Sequence, residues 1–191
     1  HFFAVIHLSN THFPYSSPPG TSVWSSKTTL DAYDSAILYQ DIQVTKILKA
    51  IEDRGRLGET LVFYTSDHGE GLGIERPLGH GGPRDDYSVG VPIWAFAPLD
   101  IRFANVRDRL HQAASRNVCN SDLAPTILEY FGFTPHTMPT SRLGLLSKNP
   151  TSDPIFIYDW RLGFTDNRSD YLTVVSGDYL LNAVSRGDQL S

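Results

Sequence analysis

Five residues have types and spacings that could do chemistry: His7 and His12, the adjacent pair Asp67 and His68, and His80 in a glycine-rich stretch. A carboxylate oxygen beside an imidazole nitrogen is a mixed donor set that suits Zn²⁺ or Mn²⁺. Consecutive side chains on a straight strand face opposite ways, so Asp67 and His68 can serve one ion only where the strand ends and bends. Gly69 permits that bend, and the glycines at 71, 73, 79, 81 and 82 let backbone approach an anion or a metal without clashes. Each residue also has a plainer reading. A histidine at a strand end, such as His7, is often a hydrogen-bonded core residue, and His68, His12 and His80 could be ordinary loop histidines. His111, in a helix, and His136, in a proline-rich loop, read as structural or solvated. The single cysteine, Cys119, cannot form an intrachain disulfide and reads as a free core thiol.

The elements that must position these residues follow from the apolar patterning. Phe2 to Leu8 is a nearly continuous apolar run and predicts a strand buried on both faces. Asn10 to Ser26 reads as loop. Leu30 to Arg54 has helical spacing, with Ala36, Ile37, Ile42, Val44, Ile47, Leu48 and Ile51 on one stripe, Thr29 or Asp31 as cap and Gly55 as stop. Thr60 to Thr65 predicts a second buried strand, Ser66 to Gly90 a long loop, and Val91 to Ala97 a third strand with Trp94 and Phe96 in the core. Helices are expected over Val106 to Ser115 and Ser121 to Phe131, the latter with Ser121 as N-cap, Pro125 in the first turn and Gly132 at its end. Short strands are expected at Pro154 to Tyr158, Tyr171 to Ser176 and Tyr179 to Val184, with a hairpin at Gly177-Asp178. This order predicts an α/β fold, a parallel sheet covered by helices, with a small antiparallel C-terminal addition. In such sheets ligands collect at the carboxyl ends of the strands, where His7 to His12 and Asp67 to Glu70 would converge if their strands are neighbours.

The chain has 191 residues, enough for one α/β domain, with 40% hydrophobic residues and a formal charge of -5. No Lys/Arg cluster suggests a phosphate-backbone footprint, so nucleic acid is not an expected partner. No apolar run approaches the ~20 residues that span a bilayer, and no signal sequence opens the chain. The chain instead begins inside an apolar run, which reads as a partial domain whose preceding sequence is missing.

Leu61 to Glu70 (LVFYTSDHGE), then Leu72-Gly73 and His80-Gly81, resembles the sulfatase-like branch of the alkaline phosphatase superfamily. His7-x4-His12 followed by Pro14-Tyr15, and the spacing of twelve from His68 to His80, resemble the lipid A phosphoethanolamine transferases. Val91-Pro92-Ile93-Trp94 and Asp122 to Leu128 (DLAPTIL) continue the likeness, which covers most of residues 2–132. It implies a parallel-sheet α/β sandwich of alkaline phosphatase/sulfatase type, of which residues 1–191 are a C-terminal portion: 2–132 the core with the ligand loops, 133–191 the C-terminal strands. It implies that Asp67 and His68 hold a catalytic metal, with Zn expected and Mn or Ca as alternatives. His12 and His80 would hold the transferred group or a second metal, and His7 would line the substrate pocket. No residue matches the family's nucleophile, which is expected upstream together with an acidic ligand, so the isolated chain should be inactive. The implied activity is phosphoethanolamine transfer from a phospholipid, on the periplasmic face of an inner-membrane protein. The alternatives are sulfate ester hydrolysis and a non-catalytic metal- or ligand-binding descendant. Between Leu78 and Val91 there is no lysine of the kind sulfatases tend to carry, which favours phospho transfer. Val174 to Leu181, which resembles the closing hairpin of sulfatases, favours the alternative.

Overall fold

The computed structural model describes residues 2–21, 24, 27–73, 79, 90–133, 143–147, 155–161, 169–176, 178–186 and 189–190. They divide into two compact units, His1–Glu59 with Gly71–Gly79, and Thr60–Glu70 with His80–Ser191.

The first unit is built on one long helix, α1 (Thr29–Glu52). Its N-cap is Thr28, one residue before the expected cap. The Asp31 amide donates to the Thr28 hydroxyl at 3.0 Å, and the Thr28 amide donates to the Asp31 carboxylate at 3.3 Å. This reciprocal box satisfies two of the amides that a helix start leaves open. Gly55, at φ 67°, turns the chain out of the helix. Lys49 lies by Glu52 and Asp53 in the last turn, and hydrogen bonds to these carboxylates, Asp53 first, raise its pKa. Along the expected apolar stripe only Ala36 is fully buried, and Ile37 is exposed. Gly71 and Gly79 exchange two backbone hydrogen bonds, at 2.9 and 2.8 Å.

The expected strand Phe2 to Leu8 is not formed: residues 2–9 carry no regular structure. An extended segment becomes a strand only when a neighbour takes its backbone groups, and no such pairing is recorded for it among the described residues. Its apolar side chains stand out accordingly, with Phe2, Phe3, Val5 and Ile6 between 57% and 80% exposed.

The second unit begins with β1 (Val62–Tyr64), which pairs with β2 (Trp94–Phe96) in the register Val62↔Phe96, Phe63↔Ala95 and Tyr64↔Trp94. The pairing is antiparallel, where the apolar patterning predicted parallel neighbours. Period-2 patterning reports which face is buried and carries no information on strand direction. Trp94 and Phe96, expected in the core, are exposed. After β2 a 3₁₀ turn, Ile101–Phe103, is capped by Asp100, whose carboxyl the Arg102 guanidinium and amide hold below the usual range. Then comes α2 (Ala104–Ala113).

A second 3₁₀ turn, Asn120–Asp122, leads into α3 (Leu123–Tyr130). Cys119 caps this turn, its amide donating to the Asp122 carboxylate at 2.9 Å, and α3 itself starts from Asp122 rather than Ser121. Pro125 lies in the first turn of α3, and Gly132 ends the helix at φ 82°. A buried turn at Gly144–Leu146 docks on the start of α3. A Cβ on Gly144 would come within 2.6 Å of the Thr126 amide nitrogen, so only glycine fits. Arg109 donates to the Leu146 carbonyl at 2.7 Å.

The C-terminal strands β3 (Ile155–Arg161), β4 (Ser169–Ser176), β5 (Tyr179–Arg186) and β6 (Gln189–Leu190) form an antiparallel meander in sequence order. Ser176 pairs with Tyr179, which leaves a two-residue hairpin loop where the sequence predicted it. The fold is thus α/β with a small antiparallel sheet, and no helix among the described residues is long and apolar enough to cross a membrane.

The Thr126 hydroxyl, fully buried, accepts from the Leu145 amide and donates to the Asp122 carbonyl, both at 2.6 Å. Thr126→Val keeps the shape but strands the Leu145 N–H. The expected loss is about 1–3 kcal/mol in urea unfolding, with Thr126→Ser closer to the parent.

Candidate functional site

Where β1 ends at Tyr64, the chain must leave the sheet with its carbonyls intact, and side chains take them up. The Asn120 amide Nδ2 donates to the Ser66 carbonyl at 2.7 Å. The Ser66 hydroxyl donates to the His68 carbonyl. The single proton of Thr65 Oγ1 is within reach of the Pro92 carbonyl at 3.1 Å and Asn120 Oδ1 at 3.2 Å. The bend at Ser66 to Gly69 is therefore held from inside the loop and from the strand and turn beside it.

The bend brings Asp67 and His68 together. Asp67 Oδ1 accepts the His68 amide at 3.1 Å, and Asp67 Oδ2 lies 3.6 Å from His68 Nε2. The other ring nitrogen, Nδ1, is 2.8 Å from the Gly69 carbonyl oxygen. A carbonyl can only accept, so Nδ1 carries the proton and Nε2 of the neutral ring keeps its lone pair. Two ligands of one tetrahedral ion, each ~2.0–2.1 Å from it, sit ~3.3–3.4 Å apart, so the 3.6 Å separation fits a shared cation closely. The Asp67 side chain is 89% exposed and that of His68 27%, which leaves the carboxylate open to a ligand. Among the described residues no group of three or more His, Cys, Asp or Glu side chains is set to hold a metal, so this pair is a two-donor set.

His12 belongs to the first unit and repeats the same local device. Its Nδ1 lies 2.7 Å from the Phe13 carbonyl, which again assigns the proton to Nδ1. The turn around it is closed by the His12 amide to the Ser9 carbonyl at 3.1 Å and the Tyr15 amide to the His12 carbonyl at 2.8 Å. The Phe13–Pro14 peptide is cis. Tyr15 is 5% exposed and sits at φ 60°, a left-handed conformation that costs a bulky residue about 1–2 kcal/mol. Its ring packs edge-on against Tyr33 of α1 at 5.2 Å and Phe13 at 5.6 Å, which offsets that strain and ties the His12 turn to the helix. Thr11 adds a 3.4 Å hydrogen bond to Gln40 of α1.

His7 lies exposed on the extended N-terminal segment of the first unit, and His80 lies outside the described residues. Glu70, close in sequence to the pair, is half-buried. Sequence reasoning missed Asn120, and it named Tyr15 only as part of the Pro14-Tyr15 likeness. Asn120, at the start of a helical turn, reads as part of a cap, and the proton assignments follow only from carbonyl positions that a sequence does not carry.

The Sulfatase family matches this chain over residues 1–133, and the chain belongs to that family, part of the alkaline phosphatase superfamily. It is 33% identical over 91 residues to phosphoethanolamine transferase EptA of Helicobacter pylori, a match covering 45% of this chain and 17% of that protein. It is 32% identical over 99 residues to N-acetylglucosamine-6-sulfatase of Bos taurus, covering 51% and 16%. It is 24% identical over 108 residues to Kdo(2)-lipid A phosphoethanolamine 7''-transferase of Escherichia coli K12, covering 47% and 18%. The chain thus spans under a fifth of the length of these curated relatives, which are enzymes of two kinds, transferases and sulfatases. No solved structure matches it.

Two-bond ¹H–¹⁵N spectra of the metal-free protein, recorded with the rings neutral, are expected to give the Nδ1–H tautomer for both His68 and His12. An Nε2–H tautomer at either residue would contradict the assignment.

Proposed function

We propose that this chain is the C-terminal portion of a sulfatase-like catalytic domain and serves metal-dependent transfer of the phosphoethanolamine type. The observation that carries the reading is the Asp67–His68 pair, an exposed carboxylate whose Oδ2 lies 3.6 Å from the imidazole Nε2, with the other ring nitrogen held on the Gly69 carbonyl. A bound divalent ion, Zn with Mn or Ca as alternatives, would supply Lewis-acid polarisation of an oxygen on the transferred group and screen its developing charge. Asp67 and His68 are assigned to hold it. The Gly69 carbonyl fixes the His68 ring, and the Asp67 carboxylate adds negative charge.

His12 and His80 are assigned to the transferred group or a second metal. With Nδ1–H committed to Phe13, a neutral His12 offers Nε2 as a ligand, and a protonated one offers Nε2–H to a phosphoryl oxygen. His7 is assigned to the substrate pocket. The nucleophile and an acidic ligand are assigned to sequence outside this chain, and the donor to a phospholipid at the periplasmic face of an inner membrane. The exposed apolar residues Phe2, Phe3, Val5, Ile6, Trp94 and Phe96 support a partial domain, since a complete α/β domain would cover them. Sulfate ester hydrolysis is the second reading. The β4–β5 hairpin, of the form that closes sulfatases, and the match to N-acetylglucosamine-6-sulfatase both favour it.

In the complete protein, Asp67→Ala and His68→Ala are expected to lower bound metal and to reduce activity by at least about 100-fold. Headgroup transfer from a fluorescent phosphatidylethanolamine without aryl sulfate hydrolysis supports the transferase reading, and the converse supports the sulfatase one. Unchanged metal content in both variants rejects the site assignment.

A further inference from the structure

We propose that Asn120 is a positioning residue for the Asp67–His68 pair, acting through the Ser66 carbonyl and the Thr65 hydroxyl that precede Asp67; this rests on the metal-holding role proposed for that pair. Asn120 begins the 3₁₀ turn before α3, where an asparagine ordinarily caps the helix. Capping is already done here by Cys119 and Asp122. The Asn120 amide reaches back across the sequence instead, with Nδ2 on the Ser66 carbonyl at 2.7 Å and Oδ1 3.2 Å from Thr65 Oγ1. The carbonyl accepts only, so the amide has one permitted orientation, with Nδ2 toward Ser66.

The Ser66 carbonyl belongs to the peptide plane that carries the Asp67 nitrogen. Fixing that plane fixes the direction in which Asp67 leaves the backbone. Among the described residues the Asp67 carboxylate meets only His68, and it is 89% exposed, so its own contacts hold it weakly. The clamp behind it therefore sets where Oδ2 stands relative to His68 Nε2. Thr65 stands beside the clamp with one proton to give, either to Asn120 Oδ1 or to the carbonyl of Pro92, two residues before β2. Groups that orient metal ligands in this way typically change affinity about 10–100-fold when removed.

The test measures zinc affinity of the complete protein by competition with a chromophoric chelator, with the cobalt(II) absorption spectrum as a second readout. Asn120→Ala and Asn120→Asp are both expected to weaken zinc about 10–100-fold and alter the cobalt spectrum. The aspartate variant keeps an acceptor for Thr65 but cannot donate to Ser66, so it should be no better than alanine. The metal-free unfolding midpoints of the Asn120 variants should match the parent. If Asp67→Ala abolishes zinc binding while both Asn120 variants bind like the parent, the positioning role is overturned and the metal site stands. If Asp67→Ala itself binds like the parent, the site reading falls and the positioning role with it. Weaker binding accompanied by a lowered metal-free midpoint makes Asn120 a general stabiliser and also overturns the proposal.

Discussion

A polypeptide leaving a sheet exposes backbone groups that the ladder no longer pairs, and each needs a partner or water. In the residues after β1, that requirement is met largely by side chains. Asn120 takes the Ser66 carbonyl, Ser66 takes that of His68, and the His68 ring takes that of Gly69. The last of these links the backbone requirement to the chemistry. The proton that satisfies Gly69 is the one that would otherwise be free to sit on Nε2. A bend needed to bring neighbouring residues to one side also sets the tautomer a ligand requires.

The same coupling recurs at His12, on a different backbone. There the Phe13 carbonyl takes the Nδ1 proton, and the turn is held by a buried tyrosine in a left-handed conformation rather than by an asparagine clamp. In both places the imidazole bonds the carbonyl of the residue that follows it. Such a bond closes over one residue and needs no long-range contact to form. The neighbours then fix where the turn as a whole sits: Tyr33 and Gln40 on α1 for His12, Asn120 for His68.

This division explains what the sequence made legible. Features set within a few residues were readable: the span of α1, the stop at Gly132, Pro125 in the first turn of α3, and the two-residue hairpin between β4 and β5. Asp67 and His68 were readable as a pair because adjacency and Gly69 imply a bend. Features set by distant partners were not. The antiparallel sense of β1 and β2 depends on how residues 62–64 and 94–96 meet, and alternation is the same for either sense. Phe2 to Leu8 has the composition of a buried strand but pairs with no strand among the described residues, and composition alone does not supply a partner. Asn120 was read past because its partner lies 54 positions away, whereas its local context spells a helix cap.

The metal-holding role proposed for Asp67 and His68 does not depend on the atom at the centre of the transferred group. Phosphoryl and sulfuryl groups are both tetrahedral and present oxygens of similar reach, so two donors on one cation suit either. Relatives with both kinds of name align over comparable stretches of this chain. Discrimination must then come from groups that meet the remaining oxygens. At position 80 this sequence has histidine, where sulfatases tend to carry lysine in that loop. A lysine is a fixed cation that only donates, whereas a histidine can donate when protonated or ligate a second ion when neutral. That added role suits a group passed between two acceptors, and it is the physical ground on which headgroup transfer is proposed ahead of sulfate ester hydrolysis.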